Sequence, residues 1–123
     1  QLFHDFLRAA QELGLDEDLL TEVKEKSDLL NPLQITQSGR IREWYEEEEQ
    51  YFQNEKVEAQ HRHASHLVGL YPGNLFSYKG QEYIEAARAS LNDRGDGGTG
   101  WSKANKINLW EMAIEPINYW QSS

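Results

Sequence analysis

Two stretches of this sequence hold residue types that could do chemistry. One is Asp93-Arg94-Gly95-Asp96-Gly97-Gly98-Thr99-Gly100-Trp101-Ser102, and the other is His61-Arg62-His63-Ala64-Ser65-His66. Glycines at 95, 97, 98 and 100 open backbone conformations that side-chain-bearing residues avoid. The first stretch is therefore a shaped turn that offers one carboxylate, Asp96, one aromatic wall, Trp101, and a helix cap, Ser102. A carboxylate can accept hydrogen bonds from sugar hydroxyls while an indole lies against the ring, so carbohydrate binding is one chemistry this loop could support. A solvated Asp in a glycine-rich turn is the other reading of the same residues.

His61, His63 and His66 lie within six positions, ahead of Leu67-Val68-Gly69-Leu70-Tyr71-Pro72-Gly73. Their spacing matches no established zinc pattern such as His-Glu-x-x-His, and the chain has no cysteine to complete a site. That argues against a metal and leaves two readings. The imidazoles are buried with their hydrogen bonds satisfied, or they recognise a small neutral ligand, donating or accepting without the desolvation cost of a full charge. Glu43-Trp44-Tyr45 and the run Glu46 to Glu49 add acidic and aromatic groups. Repulsion among consecutive glutamates suits a solvated face. Glu43 or Glu47 could instead accept from a sugar hydroxyl or a histidine.

Composition narrows the partners. Net charge is −9, from 21 acidic residues against 12 Lys plus Arg, which repels phosphate backbones and anionic lipid and argues against nucleic acid and membrane surfaces. No apolar run approaches the roughly 18 residues that span a bilayer. Mean hydropathy is −0.80, yet four Trp, six Tyr and four Phe suit a folded domain better than a disordered one. The chain opens at Gln1 and its one Met is Met112, so it reads as a piece of a longer product whose compartment the sequence leaves open.

Helices must position the two stretches. Leu2, Phe3, Phe6, Leu7, Ala10 and Leu13 recur at helical steps, and Gly14 closes that helix. His4 lies among polar neighbours and reads as surface. Asp16 offers an N-cap for a second helix with Leu19, Leu20, Val23 and Leu30 inward, ended by Asn31-Pro32. Gln34 to Ile41 alternates about Ser38-Gly39 and predicts a short β-hairpin that must pack on helices. Residues 54–60 read as loop. Gln81 to Asn92 predicts a helix with Tyr83, Ile84, Ala87, Ser90 and Leu91 on one face. Ser102 then caps a last helix through Ala104, Ile107, Trp110 and Ile114, stopped by Pro116. An aromatic tail without period follows.

The order His-Arg-His-Ala-Ser-His-Leu-Val-Gly-Leu-Tyr-Pro-Gly, an Ala-Ala-Arg helix, Arg-Gly-Asp-Gly-Gly-Thr-Gly-Trp-Ser-Lys-Ala and Lys-Ile-Asn-Leu-Trp resembles the C-terminal part of the catalytic domain of glycoside hydrolase family 95, the inverting α-L-fucosidases. The segment from Gln34 to Trp44 resembles the same family, and the similarity covers roughly residues 15–110. The resemblance implies an all-α fold. Residues 1–123 would form a single fragment of an (α/α)6 barrel of helical hairpins, carrying the one short β-hairpin. It implies inverting hydrolysis of terminal α-linked fucose, with a fucosylated glycan as substrate and no metal or cofactor. By motif position Asp96 takes the place of the catalytic aspartate, while His61, His63, His66, Trp101 and Trp44 are expected to bind substrate. The family's general acid and water-holding asparagines lie upstream of this chain, so the isolated chain is expected not to turn over.

Three departures from the family pattern stand out. Asn105 replaces an aromatic residue, Glu47 replaces an aspartate, and the chain after Trp110 runs differently. Exposed barrel faces would favour self-association. Two competing readings are a non-catalytic helical module that binds glycan or protein, and a six-hairpin enzyme acting on another sugar.

Overall fold

The computed structural model describes residues 1–44 and 61–114, which are helical and contain no strand. The chain divides into two compact units, residues 1–32 and 33–123. The glutamate run, Tyr51-Phe52, the expected loop over 54–60, Pro116 and the tail lie outside the described residues.

The first unit is a hairpin of α1 (Leu2–Leu13) and α2 (Glu17–Asp28), which pack on each other. Gly14 ends α1 where its pattern stops. At φ 62° it takes the left-handed conformation, and its N–H bonds to the Ala10 carbonyl. Ala10 is buried and Phe3, Phe6 and Leu7 are half-buried, as the period requires, while Leu2 and Leu13 at the helix ends are exposed. His4 is half-buried as well, rather than on the surface. Asp16 precedes α2 but makes no side-chain cap, because its own φ of 55° turns the backbone left-handed. The helix closes at Asp28, ahead of Asn31-Pro32, through a tightened turn in which the Leu29 N–H reaches the Lys26 carbonyl. Leu30 therefore falls outside the helix and is exposed rather than inward.

In the second unit, α3 (Leu75–Lys79) packs on α4 (Gln81–Arg94), and α4 packs on α5 (Gly100–Ile114). The core gathers Ile41, Leu67, Leu70, Phe76, Ile84, Ala86, Ala87, Leu91, Leu109 and Ala113. The face expected of α4 is the one buried: Ile84, Ala87, Ser90 and Leu91 turn inward. Arg88 on α4 donates from Nε to the Ala113 carbonyl at 2.7 Å, satisfying an acceptor that the end of α5 leaves without a helical partner.

The face of α5 differs from the expected one. Ile107 and Ile114 are exposed, while Ser102, Lys106, Leu109 and Ala113 are buried. The apolar stripe lost to a neighbouring stripe whose polar members find partners elsewhere in the unit. The expected β-hairpin is also absent. Ile35 and Ile41 form a single antiparallel bridge about a turn with Gly39 at φ 83°. Two backbone bonds frame the bridge, Thr36 N–H to the Arg40 carbonyl and Arg42 N–H to the Gln34 carbonyl, each at 2.8 Å, and the outer edge of the loop turns to α4. The Ile41 N–H donates to Ser90 Oγ at 2.9 Å, and Arg40 pairs with Asp93 at 2.6 Å.

Gly69 sets the close approach of the 3₁₀ turn Ser65–Leu67 and its following bend to α3. A Cβ placed there would lie 2.8 Å from a ring carbon of Phe76, a fully buried residue. Gly69→Ala is expected to lower stability by about 1–3 kcal/mol through overpacking. Phe76→Ala is expected to lower it by about 3–5 kcal/mol through loss of burial and a cavity. Urea unfolding followed by circular dichroism reads both.

Candidate functional site

The glycine loop and the histidine run meet in the second unit. Ser102, at the start of α5, donates from Oγ to the Arg62 carbonyl at 2.9 Å. The rings of His63 and Trp101 meet edge to face with centroids 5.3 Å apart. At the other end of the loop, Arg94 donates from a guanidinium N–H to the His61 carbonyl at 3.5 Å. Asp96 lies between these attachments and is exposed. Ser102 is thus not the helix cap its position suggested. Thr99 precedes the helix instead, and its hydroxyl accepts from the Ser102 N–H over a long 3.5 Å.

His61 and His63 are exposed, with ring centroids 5.2 Å apart. His61 accepts the His63 backbone N–H at Nδ1, 3.1 Å away, and His63 accepts from Arg62 at Nε2, 3.4 Å away. A neutral imidazole that accepts at one nitrogen carries its proton on the other, so each ring keeps a donor for a ligand. Trp101 is 60% exposed and Trp44 is 59% exposed. Trp44 adjoins Glu43 in the chain, and Glu43 ties that segment to the histidine run.

His66 occupies a different environment. Its side chain is only 6% exposed, and its Nδ1 lies 3.6 Å from Glu43 Oε1, beyond hydrogen-bond range. The other Glu43 oxygen pairs with Arg94, whose side chain is 4% exposed. Burial, then the Arg94 and Arg40 guanidinium charges, lower His66 from its ordinary 6.5 to about 3. The ring is therefore neutral near neutral pH. His61 and His63 are open to solvent, while His66 is buried as one reading had it, though its Nδ1 lacks the hydrogen bond that reading expected.

Two participants escaped the sequence reading. Glu43 was weighed as an acceptor for a histidine, but its guanidinium partner, Arg94, has no local signal beyond its place in the last turn of α4. Lys106 sits on the buried face of α5, where apolar spacing gave no reason to look. It donates from Nζ to the carbonyls of Gly95 and Gly97, each at 2.8 Å. Among the described residues no group of three or more His, Asp or Glu side chains could hold a metal ion.

The helical scaffold thus docks a glycine-rich, carboxylate-bearing loop against a histidine run. The chain belongs to glycosyl hydrolase family 95, whose catalytic-domain model matches residues 1–117. The match runs beyond residues 15–110 at both ends and continues past Trp110, where the sequence was expected to leave the family pattern. The chain is 38% identical over 112 residues to alpha-L-fucosidase 2 of Arabidopsis thaliana, covering 89% of this chain and 13% of that protein. It is 32% identical over 120 residues to probable alpha-fucosidase A of Aspergillus oryzae, covering 89% of this chain and 16% of that protein. The chain therefore spans less than a fifth of either relative.

The neutrality of His66 carries a pH dependence with a definite sign. Below about 6.5 the unfolded chain takes a proton that the native ring refuses until about 3. Stability should fall as pH drops through this window, by on the order of 1 kcal/mol per pH unit. His66→Gln should flatten that part of the profile, whatever it does to stability at pH 7. Urea midpoints between pH 7 and pH 4 measure the difference in slope.

Proposed function

We propose that this chain is part of the catalytic domain of an inverting α-L-fucosidase and forms one wall of its sugar pocket. Family membership supports the reaction class. The observation that carries the site is the docking of the glycine loop on the histidine run through Ser102, Arg94 and the His63–Trp101 contact. In this reading residues 1–123 are one fragment of an (α/α)6 barrel that needs no metal or cofactor, and its substrate is a terminally fucosylated glycan.

Inverting hydrolysis uses an acid for the leaving oxygen and a base for water, with the two carboxyl groups roughly 6.5–9.5 Å apart. Asp96 supplies the carboxylate on the water side. Its exposure on a loop anchored at both ends keeps it open to a water and to the anomeric carbon. His61 and His63 donate to sugar hydroxyls from their free ring nitrogens, and the Trp101 face packs against the apolar side of the ring. Trp44 extends that wall. His66 works from beneath, as a neutral ring against Glu43 that keeps the run in shape. The general acid comes from outside this chain, so the chain alone binds fucose without cleaving a fucoside.

Exposed Leu2, Leu13, Leu15, Leu29 and Leu30 in the first unit, and Ile107 and Ile114 in the second, favour self-association of the isolated chain. Light scattering should find species larger than 14.3 kDa.

Assayed on an aryl α-L-fucoside, residues 1–123 should show no turnover. Clear turnover that Asp96→Asn abolishes would show the active site to be complete without the missing acid. In the longer protein that carries this chain, Asp96→Asn should lower kcat by about 10²-fold or more, with a smaller change in KM. An unchanged kcat there would remove Asp96 from the reaction.

A further inference from the structure

Side-chain packing does little for the loop on either side of Asp96. A Cβ added at Gly95 or Gly97 would meet no atom within 4 Å, whereas one at Gly98 would lie 3.0 Å from Ser102 Oγ. Gly95 at φ 67° and Gly98 at φ 124° sit in conformations that only glycine adopts without strain, and glycine is also the residue with the most freedom to leave them. A loop of this composition stays in one conformation only if hydrogen bonds hold it.

Lys106 provides them. It is 5% exposed in the middle of α5, and its Nζ sits between two carbonyl oxygens, those of Gly95 and Gly97, at 2.8 Å each. The first carbonyl belongs to the peptide plane leading into Asp96, and the second to the plane one residue beyond it. The first belongs to Gly95, the C-cap residue of α4, and the second lies two residues further along, so the pair of bonds reaches past the helix end into the loop. A compact ammonium with three donors can bridge two converging carbonyls, and such charge-assisted bonds are stronger than neutral ones. Burying a Lys that did nothing would be unfavourable.

We propose that Lys106 is the positioning residue for Asp96: it fixes the peptide plane that enters Asp96 and the plane one residue beyond it, and so sets the direction from which the carboxylate meets its ligand. The functional half of this rests on the reading of Asp96 as the water-side carboxylate. The structural half stands on the two hydrogen bonds alone.

The experiment is 15N NMR on residues 1–123, comparing the unaltered chain with Lys106→Met, Lys106→Gln and, as control, the exposed Lys103→Met. In Lys106→Met the heteronuclear NOE of Asp96, Gly97 and Gly98 should fall to the values of chain ends, while Ile84, Leu91 and Leu109 keep their shifts. If the Met variant does not fold, Lys106→Gln reads the same loss, since its shorter neutral amide cannot bridge both carbonyls. Lys103→Met should change nothing. An NOE unchanged at Asp96 in the folded variant overturns the proposal. Titration with L-fucose separates the two halves. Binding weakened on the order of tenfold by both Asp96→Asn and Lys106→Met supports positioning of a working carboxylate. If L-fucose binding is indifferent to Asp96→Asn, the reading of Asp96 fails, and the NOE alone then decides whether Lys106 holds the loop.

Discussion

The second unit depends on one buried cation. Arg94 ends α4 with its side chain 4% exposed, and removing a guanidinium from water is costly unless its donors are met. Glu43 meets one and the His61 carbonyl meets another. Three segments distant in sequence are thereby tied at one point: the loop after the Ile35–Ile41 bridge, the histidine run, and the start of the glycine loop. The same arrangement pairs the Glu43 carboxylate with Arg94, and burial of His66, reinforced by the Arg94 and Arg40 charges, keeps that ring neutral.

Rigid helices beneath exposed loops are the usual division of labour between scaffold and site. Here Ala86, Ala87 and Ala113 belong to the core that α4 and α5 share, and small side chains let helices approach closely. That closeness brings Lys106 and Ser102 on α5 within reach of backbone carbonyls on the glycine loop and the histidine run. Polar side chains do the joining because the loops themselves present carbonyls and little apolar surface. The arrangement trades packing for directed hydrogen bonds, which hold orientation better than they add stability.

Family membership rests on a match that covers most of this chain but less than a fifth of each relative. Several leucines on the first unit, and Ile107 and Ile114 on α5, are exposed.

Much of this was legible in the sequence. The periods of α1 and α4, the glycine that ends α1 and the glycine-rich turn before α5 are written by neighbours in the chain, since helical steps and left-handed positions are local properties. The family, too, was carried by contiguous motifs. The buried face of α5 was not legible, because Lys106 and Ser102 turn inward only for carbonyls supplied by other segments. The expected hairpin shrank to one bridge, and the outward Ile41 N–H found Ser90 on α4, a partner that only folding supplies. Nor could spacing tell that His66 is buried while His61 and His63 are open. Local sequence determined which elements form, and tertiary structure decided which polar groups are buried, because a buried donor is stable only beside an acceptor that folding brings to it.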